Sequence, residues 1–65
     1  MKVTIYLKEP EDKWIRVSMS EELYEMFLKM VEKGEGVASF STVSPPKKSV
    51  TIAIQNIAYH MMEEE

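Results

Sequence analysis

Apolar and polar residues alternate from the second position onward. Val3, Ile5 and Leu7 face one way and Lys2, Thr4, Tyr6 and Lys8 the other, the period-two pattern of a strand buried on one face. Glu9-Pro10-Glu11-Asp12 interrupts the alternation as a turn. It resumes over residues 13–19, with Ile15, Val17 and Met19 against Trp14, Arg16 and Ser18. The two segments predict a hairpin whose apolar sets must share one side of the sheet. Pairing Leu7 with Ile15 and Ile5 with Val17 meets that condition and leaves Glu9 to Lys13 as the loop. The opposite face then places Tyr6 beside Arg16 and Lys8 beside Trp14.

The period changes to that of a helix after Met19. Ser18-Met19-Ser20-Glu21 fits a capping box, but Ser20 as N-cap pairs Met19 with Tyr24 in a hydrophobic staple and sets Glu21 and Glu22 in the first turn. The second reading is preferred. Leu23, Met26, Phe27 and Met30 form one stripe expected in the core, and Lys29, Lys33 and Gly34 mark the end. Tyr24, Leu28 and Val31 form a second stripe beside it. Two apolar stripes exceed what one small sheet can cover, so the second is expected to be buried against another copy of the chain.

Beyond Gly34-Glu35-Gly36, residues 37–43 read as a third strand with Ala38 and Phe40 inward. Ser44 to Lys48 is a loop, and Val50, Ile52 and Ile54 define a fourth strand. The last segment has two readings. If Gln55-Asn56 is a tight turn, Ile57, Tyr59 and Met61 fall opposite Ile54, Ile52 and Val50; if Asn56 is an N-cap, residues 57–62 form a short helix. Three glutamates at a helix C-terminus oppose its dipole, which favours the strand. The expected fold is α+β: a single domain spanning residues 1–65, with one helix on a mainly antiparallel sheet of about five strands, in the order ββαβββ.

At 65 residues without cysteine, such a chain buries only about 60% of the surface its unfolded form exposes and has no disulfides to compensate. Homo-oligomerisation is the expected remedy. No apolar run approaches the roughly 20 residues of a membrane span, and the N-terminal residues lack the features of a signal peptide, so a cytoplasmic protein is expected. The net charge of −3 is uneven: residues 1–19 and 37–62 together carry +3, whereas residues 20–36 and the terminal Glu63-Glu64-Glu65 carry −6. An acidic chain is a poor non-specific ligand for duplex DNA, whose binding runs on many Lys and Arg contacts.

Catalytic chemistry finds little material. The chain has one His and one Asp: His60 is expected at an edge or an interface, and Asp12 in a turn. His60, Glu63 and Glu64 have metal-ligand spacing only on a helix, and a solvated acidic tail is the simpler reading. No catalytic residue, metal or cofactor is expected. Two features remain. The outer face of the hairpin gathers Lys2, Tyr6, Lys8, Trp14 and Arg16, with Thr4 and Ser18, an array suited to base stacking and phosphate attraction and equally to a protein interface. The loop region Ser39, Ser41, Thr42, Ser44, Pro45, Pro46, Lys47, Lys48 and Ser49 offers hydroxyls and two adjacent cations, which can hold a phosphate group or merely solubilise a connection.

The helix opening Ser20-Glu21-Glu22-Leu23, the exit Glu32-Lys33-Gly34-Glu35-Gly36 and the ending Ile54-Gln55-Asn56-Ile57-Ala58-Tyr59 resemble those of small proteins of phages, prophages and mobile elements in Gram-positive bacteria. The resemblance implies stoichiometric action, by occupying a host protein or sequestering a small signal molecule, and with it a counter-defence role. The expectation is therefore a non-enzymatic, homo-oligomeric binding protein for a nucleotide-type anion. Its ligand would meet Tyr6, Trp14, Arg16, Lys47 and Lys48, and its copies would meet through Tyr24, Leu28 and Val31. The alternative is a protein-interaction module that blocks or bridges a host protein.

Overall fold

The hairpin forms where alternation predicts it, β1 (Lys2–Leu7) pairing antiparallel with β2 (Trp14–Ser18). In the computed structural model, which describes residues 1–43 and 45–63, Val3 lies opposite Val17 and Ile5 opposite Ile15. This register is two residues away from the one expected. A slip of two preserves which face each side chain occupies, so the apolar set stays inward, but Tyr6 now faces Trp14 and Arg16 faces Thr4. Within the hairpin the Leu7 N–H donates to the Lys13 carbonyl at 3.0 Å, in keeping with this register. The Lys8 N–H donates to the Asn56 carbonyl at 2.8 Å, and the Asn56 side chain accepts from the Glu9 N–H and donates to the Glu9 carbonyl. β1 ends at Leu7, and Lys8 and Glu9, bonded to Asn56, lie in the loop.

Helix α1 (Glu21–Lys33) is capped as preferred: Ser20 Oγ accepts from the Leu23 N–H at 3.1 Å, and Gly34 closes the helix at φ 73° with its N–H on the Met30 carbonyl. That left-handed conformation suits glycine, which has no Cβ to clash. Met19 and Tyr24, the two ends of the staple, both pack on the core. The helix buries less than its two stripes promise. Phe27 is its one buried residue, flanked by the partly buried Tyr24, Met30 and Val31. Leu23 and Met26, expected in the core, are instead exposed, Met26 by 60%, because they line an open groove beside Ala38, Ser39 and Phe40 rather than closing on it.

The remaining strands divide into two sheets rather than one. β3 (Val37–Ser41) pairs antiparallel with β4 (Ser49–Ala53), while β5 (Ile57–Glu63) pairs antiparallel with β1, giving a three-stranded sheet in the order β2-β1-β5. The sheets meet at one edge, where Val17 and Thr42 form a bridge and the Val43 N–H donates to the Arg16 carbonyl at 3.1 Å. The residues placed inward, Ala38 and Phe40, do point there, Phe40 into the core. β5 is a strand, as favoured, but not the hairpin partner of β4. The turn expected at Gln55-Asn56 is a 3₁₀ turn (Ile54–Asn56) that takes Ile54 out of the fourth strand; Ile54 and the following Ile57 are buried, and the chain is redirected to β1.

A bulge then reverses the faces of β5. Tyr6 pairs with Tyr59 but Leu7 pairs with Ile57, so Ala58 is the extra residue. Tyr59 and Met61 consequently face outward with Tyr6 and Thr4, and are exposed; His60 turns inward. The closed core comprises Val3, Ile5, Val17, Met19, Phe27, Phe40, Ile52, Ile54 and Ile57. No helix among the described residues is long and apolar enough to cross a membrane.

His60 is held against the helix by rings rather than by charge. It sits 5.1 Å from Phe27 edge to face, and its Nε2 is 3.4 Å from the Tyr24 hydroxyl. Burial lowers its pKa below the ordinary value of about 6.5, because the charged imidazole loses water there. The unfolded chain therefore binds this proton more readily than the folded one. Stability due to neutral His60 is full above about pH 6.5, falls as pH drops through that value, and stops falling below the folded pKa. The expected outcome is a melting temperature that decreases from pH 7.5 to pH 5.5 in the wild type and is flatter over that window in His60→Gln.

Candidate ligand-binding cleft

The bridge between the sheets builds a concavity at the outer edge of β2. It is lined by Trp14, Ile15, Arg16, Thr42, Pro46 and Lys48, has a volume of about 270 Å³ and opens broadly to solvent. Each wall has a structural cause. Strand alternation turns Trp14 and Arg16 away from the buried Val17. The Val43 N–H bond to Arg16 draws the segment after β3 alongside β2. Thr42 then fixes the far side: its N–H donates to the Lys48 carbonyl at 2.9 Å, and its Oγ1 accepts from the Lys48 N–H at 3.0 Å. These paired bonds close the loop and bring Lys48 to the β2 edge.

Of the five expected ligand residues, Trp14, Arg16 and Lys48 line this one cleft. Lys47 is exposed next to it without forming its wall. Tyr6 lies one strand over, opposite Trp14, and stacks on Tyr59 with ring centroids 4.4 Å apart and planes 16° from parallel. Ser44, included in the loop feature, lies outside the described residues, as do Glu64 and Glu65. Trp14 is 55% exposed, so its indole is accessible from solvent. Thr42 retains a hydroxyl proton to donate, and Pro46 adds an apolar wall.

Arg16 carries the most telling electrostatics. Its guanidinium Nη2 lies 2.6 Å from Glu63 Oε2 on β5, whereas its Nε is buried without a hydrogen-bond partner among the described residues. Glu63 was invisible as a partner because its facing depends on the β5 bulge, for which the alternation carries no signal. Thr42 and Pro46 were legible as part of the hydroxyl-rich loop; their meeting with Trp14 was not.

The residues assigned to an oligomer contact divide. Tyr24 and Val31 pack partly on this chain's own core, while Leu28 is 40% exposed and lines a shallow surface depression with Met1, Glu21, Tyr24 and Glu25. On the other side of Phe27, an apolar groove of about 170 Å³ runs between α1 and β3, lined by Leu23, Met26, Phe27, Met30, Ala38, Ser39 and Phe40. Among the described residues no group of three or more His, Asp or Glu side chains converges as a metal site. His60 and Glu63 project from opposite faces of β5, so they do not share one. Compared with known proteins, the chain matches no family, no curated protein and no solved structure.

Proposed function

We propose that this protein is a non-enzymatic binding protein whose Trp14–Arg16–Lys48 cleft takes a nucleotide-type anion. The observation that carries the reading is the convergence, in one cleft, of an exposed indole and cationic side chains drawn from separate sequence features. A base stacked on Trp14 gains roughly 1 to 3 kcal/mol, and charge-assisted bonds to a phosphate add to it. At about 270 Å³ and open to solvent, the cleft is smaller than the roughly 300–1,000 Å³ of typical small-molecule pockets, so a nucleotide held there keeps part of its surface in water. Sequestration of such a molecule accords with the counter-defence role implied by the resemblance to phage and mobile-element proteins.

The test uses the chain's own reporter. Trp14 is its single tryptophan, so titration with AMP should quench or shift its fluorescence to saturation, while adenosine, lacking the phosphate, should bind more weakly. An unchanged spectrum at millimolar AMP would sink the assignment. A second reading, a protein-interaction module, draws support from the exposed Tyr59 and Met61, which extend the aromatic face well beyond the cleft. It predicts that Trp14→Ala weakens capture of a host protein and that no nucleotide binds.

Self-association belongs to the same proposal, now centred on Leu23 and Met26 rather than on Tyr24 and Val31. Helical periodicity puts Glu22 and Lys33 on the same side of α1 as Met26, near opposite ends. Two helices packed antiparallel would set each Glu22 near the other's Lys33 and cover both apolar grooves. Met26→Glu is expected to convert an oligomer into a monomer in sedimentation velocity, with folding retained because Met26 is exposed. A wild-type chain that is monomeric at high micromolar concentration would overturn this part.

A further inference from the structure

We infer that Arg16 is a two-position side chain and that Glu63 is a built-in competitor for the ligand's anion. The inference rests on the cleft reading above and concerns how the cleft is filled. Arg16 stands on β2 and Glu63 on β5, with β1 between them. Two strand spacings separate them by roughly 9 to 10 Å, so the 2.6 Å contact requires the guanidinium to lie across β1, leaning away from the Lys48 side of the cleft. In that position only part of the side chain lines the cleft, and the Nε hydrogen lacks an acceptor among the described residues.

Both groups of the pair are substantially exposed, 38% for Arg16 and 61% for Glu63. An ion pair of this kind is weak enough to be exchanged for another. A phosphate seated near Lys48 and Thr42 presents several acceptor oxygens on the opposite side of Arg16. Rotation of the side chain toward it trades one carboxylate oxygen for an anion that can engage the fork of the guanidinium. Glu63 therefore discriminates among ligands: an anion must outcompete a carboxylate already in place. The ligand class favoured is one bearing a dianionic terminal phosphate, and a neutral or singly charged group gains less from the exchange.

The experiment is an AMP titration of the full chain as wild type, Glu63→Gln, Arg16→Gln and the double variant. Releasing Arg16 should let Glu63→Gln bind AMP roughly 1.4- to five-fold more tightly than wild type, the range set by the strength of exposed pairs. The gain should vanish in the Arg16→Gln background, since no guanidinium remains to be released. Equal affinities for wild type and Glu63→Gln would overturn the inference while leaving the cleft intact. So would a gain that persists without Arg16, which would mark a general effect of removing negative charge. Failure of every variant, wild type included, to bind AMP overturns the cleft reading and this inference together.

Discussion

Phe27→Ala is expected to abolish the cooperative unfolding transition of this chain. Phe27 is 1% exposed and is the single buried residue of α1. Its ring meets Phe40 edge to face at 5.5 Å and His60 at 5.1 Å, and lies 6.4 Å from Tyr24. These contacts join the helix to β3 and β5, which belong to different sheets. Removing a buried phenylalanine side chain costs about 3 to 5 kcal/mol. A chain of this size, at roughly 0.05 to 0.15 kcal/mol per residue, has only about 3 to 10 kcal/mol in total. Urea denaturation followed by circular dichroism should show a sigmoidal curve for wild type and a broad, nearly linear one for Phe27→Ala. Phe27→Leu, which keeps most of the volume, should shift the midpoint without erasing the transition. A Phe27→Ala midpoint close to wild type would mean that the helix is not tied to the sheets through this ring.

Loss of ligand binding without loss of fold is the second large effect expected, from Trp14→Ala and Arg16→Glu. Trp14 is more than half exposed and contributes little to the core, so its truncation should leave the far-ultraviolet spectrum and melting temperature near wild type. Loss of a base stack worth roughly 1 to 3 kcal/mol weakens AMP binding about 5- to 150-fold. Arg16→Glu goes further, because it removes a cation, places a carboxylate in the cleft and faces Glu63 with a like charge. Calorimetry should then detect no binding. Since Trp14→Ala removes the fluorophore, calorimetry is also the method that compares all variants on one scale. A folded Arg16→Glu protein with wild-type affinity would exclude the cleft as the anion site.

Particular residues show how far local pattern carries. Ser20 and Gly34 stood out as helix caps because capping is decided within a few residues, by a side-chain oxygen and by freedom at positive φ. The inward set Val3, Ile5 and Val17 was equally legible, since alternation names faces directly. The register was not, because a two-residue slip changes no face, and the bonds that belong to one alternative, such as Leu7 N–H to the Lys13 carbonyl, form only on folding. The facing of Tyr59, His60 and Met61 was misread for the opposite reason: one extra residue at Ala58 inverts the alternation, and a bulge is recognised only once the partner strand is known. In the cleft, Trp14, Arg16 and Lys48 were each legible as chemistry, but their convergence depends on the bridge between Val17 and Thr42.

By itself the sequence determined the α+β class, the one capped helix, the buried faces of the hairpin and of β3, and the residue types available for binding, all properties set by neighbours within a turn or a strand. The tertiary structure decided what depends on contacts between distant segments: the pairing of β5 with β1, the division into two sheets, the inward turn of His60 and the ion pair of Arg16 with Glu63. The physical reason is that period and capping are read along the chain, whereas register, partner and charge pairing are chosen by competition among segments brought together only by folding.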